Sequence, residues 1–254
     1  MSDILIHTES AICTLTLSRP DKKNSLTSFM YDEIAQAIAQ AKENSDVKVL
    51  VIQGSETVFC AGNDISDFIQ NPPDSAKAPV FKFIESLLGF HKPLIAGVCG
   101  PAVGIGTTML FHCDLVYAGD NAVFSMPFVN LGICPEAASS LLVPNVMGYQ
   151  RAAQALLLGE PFMAEAALEV GLVNQILPPT ELKAFVQRQA AKIAQKPMRS
   201  LIETKRLLKA HSLPQLQQRV REEGQLLAQL LKEPAAKEAL KAFGEKRKPN
   251  FEGL

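Results

Sequence analysis

Two stretches of this chain carry residue types able to do chemistry. Residues 93–110 run from an apolar segment into a turn punctuated by Gly100, Gly104 and Gly106, then into a helical pattern. Glycine admits positive φ and close approach of another group, and the first N–H groups of a helix lack intrahelical partners. Such a turn suits an anionic oxygen, either a phosphate or a developing oxyanion. A Walker-type phosphate loop needs Gly-Lys-Ser/Thr at the helix start, whereas Gly106 is followed by Thr107 and Thr108 with no lysine. Plain punctuation between strand and helix is the structural alternative. Residues 58–69, with Gly62 before a short helical pattern, form a second turn of the same kind.

The other stretch is 124–142, where Glu136 is the only acidic or basic side chain. Burial raises a carboxyl's pKa and makes it a proton carrier near neutrality. A glutamate just after Pro135 is equally what the first turn of a helix favours. His7, His91, His112 and His211 are scattered without metal-ligand spacing or a Ser/His/Asp grouping, so no metal site is expected.

The elements that must position these residues follow from periodicity. Residues 11–17 alternate as a half-buried strand, and 28–43 carry apolar residues at helical spacing. Residues 47–52 read as a buried strand, 71–75 as a mobile Pro-containing loop, 81–88 as a helix and 114–118 as a strand. Residues 152–158 and 164–170 are helical, with Gly159 and Gly171 as stops. From Leu182 to Leu240 the pattern is helical, broken at Pro197, Pro214 and Pro234, with a stripe of Leu216, Val220, Leu227 and Leu231 that reads as core or interface.

Length and charge bound the partners. A chain of 254 residues supports one large α/β domain with an appendage, or two small domains. With 25 basic and 26 acidic residues, a net charge of -1 gives no pull toward nucleic acid or an anionic membrane. Five cysteines without a Cys-x-x-Cys pair favour a reducing compartment. No apolar run reaches the ~18–20 residues that span a bilayer. The ending Phe-Glu-Gly-Leu lacks a Ser-Lys-Leu-type address, so a cytoplasmic protein is expected.

Together the landmarks resemble the crotonase superfamily, the enoyl-CoA hydratases and isomerases. They are Arg19-Pro20 with Asn24 and Leu26, residues 59–65, the Gly100–Gly106 turn, Asp114, and the terminal Phe243-Gly-Glu-Lys-Arg. The resemblance implies an α/β fold, a spiral of repeated strand-strand-helix units over 1–196. Residues 197–254 would form a helical region used for trimers or dimers of trimers. It implies an acyl-CoA substrate, with coenzyme A as part of that substrate and no separate cofactor. It also implies an oxyanion hole formed by the backbone N–H groups of Asn63 and Ile105, flanked by Gly62 and Gly104. Coenzyme A contacts carried over are Lys23, Ala61, Asp64, Ile65, Phe243 and Lys246. The hydratase pattern often has a lysine where this chain has Ser66.

Hydratases of this superfamily carry two glutamates, at the positions of Thr108 and Phe128 here. Both are missing. The run from Met126 to Ser140 instead resembles the peroxisomal-type Δ3,Δ2-enoyl-CoA isomerases, whose catalytic glutamate matches Glu136. One carboxylate suffices for that reaction in fatty acid degradation, with an acyl slot expected near Phe128, Ile133, Leu141 and the 66–80 region. The alternatives are another acyl-CoA enzyme on the same fold, a hydratase or a one-carboxylate enolate reaction such as carbon–carbon bond formation, or a non-catalytic CoA- or RNA-binding member. The near-neutral charge opposes the last, because phosphate contacts supply most nucleic-acid affinity.

Overall fold

The structure, a computed structural model, describes residues 2–73 and 78–254. Asp74 and Ser75 of the expected mobile loop lie outside the described residues. The chain opens with a hairpin, β1 (Ile4–Glu9) antiparallel to β2 (Ile12–Leu17). Only Ile4 of β1 is buried, so that strand leaves no alternation to read. The helix expected over 28–43 is α1 (Ser28–Glu43). Thr27 caps it by accepting the Met30 N–H, and Met30, Ile34, Ala37, Ile38 and Ala41 are buried.

There follow β3 (Val49–Gln53), α2 (Ile65–Gln70), α3 (Pro79–Leu88), β4 (Leu94–Val98), β5 (Pro101–Val103), α4 (Ile105–Thr108), β6 (Leu115–Gly119) and β7 (Val123–Ser125). The remaining elements are α5 (Ser139–Met147), α6 (Tyr149–Ala153), β8 (Phe162–Met163), α7 (Ala164–Glu169), β9 (Gln175–Leu177), α8 (Pro179–Ala194), α9 (Met198–Lys209), α10 (Leu213–Leu230) and α11 (Pro234–Gly244). The helix expected after the glycine turn is only the single α-turn of α4, tightening into a 3-10 turn at Met109–His112. Residues 154–158 wind as a wider π-type turn that ends at Gly159.

The strands form two sheets, β1-β2-β3-β4-β6-β9 and β5-β7-β8. In the larger sheet every pairing beyond the hairpin is parallel. Successive turns of chain lay one strand in each sheet, β4 leading into β5 and β6 into β7. The turn from β3 does so more weakly, through an isolated parallel bridge between Cys60 and Ala102. This stacking places the loop after Cys60 beside the loop after Ala102.

Burial explains the sequence of the parallel strands. Val49, Val51 and Ile95 face α8 through Leu182, Val186 and Ala190, while Leu50, Ile52, Leu94 and Ala96 join α1 and α3 in the larger core. A sheet covered on both faces reads as a continuous apolar run, and full burial of side chains such as Phe83 and Leu87 contributes roughly 1.5–3 kcal/mol each.

Each proline break in the C-terminal region falls at a helix start, Pro197 before α9, Pro214 in the first turn of α10 and Pro234 at the head of α11. Lys205 of α9 is buried, donating to Asp114 Oδ2 and the Lys92 carbonyl, each at 2.7 Å. Leu216 and Val220 of α10 join the main core, whereas Leu227 and Ala236 pack with Met126, Phe128 and Ile133. The C-terminal helices thus fold back over the centre of their own chain. Among the described residues, no helix is long and apolar enough to cross a membrane.

Candidate active site

The two glycine turns meet side by side. The Val103 N–H donates to the Cys60 carbonyl at 2.9 Å, the Leu26 N–H to Gly62 O at 2.8 Å, and the Asp64 N–H to Leu26 O at 2.8 Å. Gly62 has φ +88, and a Cβ there would lie 2.9 Å from Val103 O, so only glycine allows this approach. Gly104 has φ 55 and ψ -120, a conformation that side chains resist. Its missing Cβ would face open space, with Phe128 Cε1 the nearest atom at 4.0 Å. Among the described residues, the backbone N–H groups of Asn63 and Ile105, one after each glycine, find no protein acceptor.

The landmark residues near the N-terminus anchor the first turn. Arg19 donates to Asp64 Oδ2 at 2.8 Å, Asn24 Nδ2 donates to Phe59 O at 3.0 Å, and Asn24 Oδ1 accepts the Arg19 N–H at 2.8 Å. Asp64 also caps α2 through the Ser66 and Asp67 N–H groups. Burial works to raise its pKa, but the Arg19 guanidinium and these N–H donors outweigh it and hold the carboxyl below the usual range.

Glu136 is held on a strained turn. It lies three residues before α5, which overturns its reading as a first-turn helix residue. Ala137 and Ala138 both take positive φ, 60 and 56. Each costs about 1–3 kcal/mol in a non-glycine residue and persists only where the surroundings enforce it. Three groups do so. The Ala138 N–H donates to Glu223 Oε2 at 2.6 Å and the Ser140 N–H to Glu223 Oε1 at 2.9 Å. His112 Nε2 lies 2.7 Å from Ala137 O, and burial lowers the histidine's pKa to about 4. The neutral ring therefore donates through Nε2.

Glu136 is 5% exposed and its Oε1 has no hydrogen-bond partner among the described residues. Burial, followed by the nearby Glu223 charge, pushes its pKa up to about 8. A neutral, unpaired carboxyl at the edge of a cavity is poised to exchange a proton with whatever occupies it.

That cavity encloses about 260 Å³. It brings together the predicted Ala61, Gly62, Asn63, Ile65, Gly104, Phe128, Ile133, Glu136 and Phe243. Ile105 is fully buried directly after Gly104. Lys23, Asp64, Lys246 and Leu141 do not line it. Lys23 and Lys246 are exposed, and Leu141 packs against the main core. Thr108 is buried with an unpartnered hydroxyl and Phe128 is an apolar wall, so Glu136 is the only carboxyl lining the cavity among the described residues.

Sequence reasoning gave no site role to several participants. Leu227, Leu231 and Leu240 close the cavity from the C-terminal helices, and Glu223 buttresses the Glu136 turn. The signal for Glu223 was present, an acid set between Val220 and Leu227 on the apolar stripe of α10. Among the described residues, no cluster of three or more His, Cys, Asp or Glu stands ready to hold a metal ion.

Comparison with known proteins places these features among relatives. A family profile described as enoyl-CoA hydratase/isomerase matches residues 7–254. Enoyl-CoA delta isomerase 2 of Rattus norvegicus is 34% identical over 219 residues, which cover 84% of this chain and 56% of that longer protein. The 2,3-dehydroadipyl-CoA hydratase of Escherichia coli is 30% identical over 254 residues, the full length of both. The solved structure of Pseudomonas aeruginosa OdaA superposes with a TM-score of 0.93 at 43% identity, covering 96% of this chain and 99% of that one.

Proposed function

The chain belongs to the enoyl-CoA hydratase/isomerase family of the crotonase superfamily, and on that premise we propose that it is a Δ3,Δ2-enoyl-CoA isomerase of fatty acid degradation. One observation carries the reading: among the described residues Glu136 is the lone carboxyl lining a largely apolar cavity, with Thr108 and Phe128 at the two positions where hydratases of the family hold glutamates.

The ionised Glu136 removes the C2 proton of a 3-enoyl thioester. The electron pair spreads over C2, C3 and C4 and onto the thioester oxygen. The Asn63 and Ile105 N–H groups receive that oxygen, each such donor being worth about 2.7–4 kcal/mol in the transition state. The protonated Glu136 then delivers its proton to C4, leaving the double bond between C2 and C3 and the carboxylate restored. Apolar walls at Phe128, Ile133 and Leu227 hold the acyl chain and exclude water.

Coenzyme A enters past Ala61, Ile65 and Phe243, with Lys23 and Lys246 available to its phosphates. The hydratase name of the E. coli relative points to a second reading. Water addition divides its proton transfers between two carboxyls, and Glu223, the other acid near Glu136, is occupied by two backbone N–H groups. The same proposal includes a cytoplasmic homotrimer or dimer of trimers, in which Tyr149, Leu157, Leu158 and Met163, all exposed here, are covered. Conversion of 3-enoyl-CoA to trans-2-enoyl-CoA, run beside hydration of the 2-enoyl product, tests the reading. Isomerisation far faster than hydration supports it, and hydration alone rejects it.

A further inference from the structure

Glu223 does not line the cavity, yet it is the most heavily used side chain around the catalytic turn. It is 6% exposed on the face of α10 that also buries Val220 and Leu227. Placing a carboxylate there is costly unless its oxygens are fully engaged. Both are: Oε2 accepts from Ala138 and Oε1 from Ser140, while Arg219 one turn earlier on α10 reaches the Ser140 hydroxyl at 3.0 Å. Of the two alanines at positive φ, Ala137 lies between Glu136 and these anchors and Ala138 is the first of them.

We propose that Glu223 is a positioning residue for Glu136, its two oxygens clamping the Ala137–Ala138 turn in the conformation that projects the Glu136 carboxyl into the cavity. This rests on the isomerase reading for its consequence in catalysis, though not for the clamp itself. The geometry also couples the C-terminal helices to the proton carrier, because α10 supplies both the clamp and the cavity wall at Leu227.

The clamp needs a carboxylate. Glutamine has the same shape but one acceptor oxygen, and its amide nitrogen would face an N–H donor. Glu223→Gln thus breaks one of the two bonds and removes a negative charge near Glu136 while leaving the packing of α10 intact. The other titratable groups facing Glu136 are Tyr31 from α1, Cys60 and Cys134, with Asp67 near Tyr31. Behind the turn stand His112, with Lys205 and Lys209 beyond it, and Arg219 beside Glu223. Of these, Glu223→Gln touches only Cys134, whose thiol the Glu223 charge helps to hold up, and Arg219, which loses a neighbouring negative charge.

The test measures kcat, KM and their pH dependence for wild type, Glu223→Gln, Ala138→Gly and the double variant. For Glu223→Gln the expected result is a kcat loss of about 100-fold with KM little changed, as for a displaced catalytic group. The pH at which activity appears should also move downward, since a like charge beside Glu136 is gone. Glycine accepts positive φ without the clamp, so the double variant should lose less than the product of the two single losses. Wild-type kcat and pH profile in Glu223→Gln, or strictly multiplicative losses, overturn the proposal. Should the wild type show no isomerisation, the function reading falls. The clamp is then judged by thermal melting, where the loss in Glu223→Gln is partly recovered by adding Ala138→Gly if the clamp is right and is not recovered if it is wrong.

Discussion

The Tyr31 hydroxyl donates to Asn63 Oδ1 at 2.5 Å, tying the first turn of a core helix to the residue whose backbone N–H stands free beside the cavity. Tyr31 is buried among Phe83 and the α1 core, so it holds Asn63 against a rigid support. Tyr31→Phe keeps the ring and removes the bond. It should lower kcat by about tenfold through a looser N–H, a loss smaller than the roughly hundredfold or more of removing an oxyanion donor outright. Thermal unfolding should fall by only about 1–2 kcal/mol, which a melting curve beside the kinetics will check.

The pH dependence follows from the raised pKa of Glu136. The group must be ionised to accept the C2 proton, and burial with the Glu223 charge holds its pKa at about 8. The value of kcat/KM, which reports the free enzyme, should therefore rise with pH and level off above about 8. A plateau already reached near the ordinary carboxylate range would show that Glu136 is not the base.

The same shift is a stability statement. A carboxyl whose folded pKa lies above its unfolded value binds a proton more tightly in the folded state. Folded stability then falls as pH rises from the unfolded pKa of about 4.3 toward the folded value near 8. Glu136→Gln removes this linkage. Its melting temperature relative to wild type should climb across that window, corresponding to a few kcal/mol by its upper end, and change little beyond it.

Gly104→Ala isolates the second turn. The added methyl meets only Phe128 at 4.0 Å, but it sits at φ 55 and projects beside the cavity. Activity should drop severely while unfolding shifts by about 1–3 kcal/mol, the cost of a strained residue. Gly62→Ala should be worse for folding, because its methyl would be driven against the Val103 carbonyl at 2.9 Å.

Much of this arrangement was legible before any coordinates. The apolar periodicity marked α1 and the buried strands β3, β4 and β6, and the two glycine turns marked the loops that meet beside the cavity. Local pattern could not show that Cys60 pairs with Ala102, since that bridge is made by stacking successive turns of chain between residues far apart in sequence. It could not separate the two meanings of Glu136 either. Pro-Glu before a helical pattern predicts a first turn, and only the paired positive φ values at Ala137 and Ala138 place the glutamate outside α5. β1 escaped notice because it buries one residue, and Glu223 because an acid on an apolar stripe reads as an interruption until its two N–H donors are in view.

The most direct test is isomerisation of 3-enoyl-CoA by Glu136→Gln beside the wild type, with folding checked by its melting curve. The account predicts that the variant folds and binds acyl-CoA but loses double-bond migration almost entirely, because no other cavity carboxyl among the described residues can take the proton. Migration at the wild-type rate in that variant would contradict it.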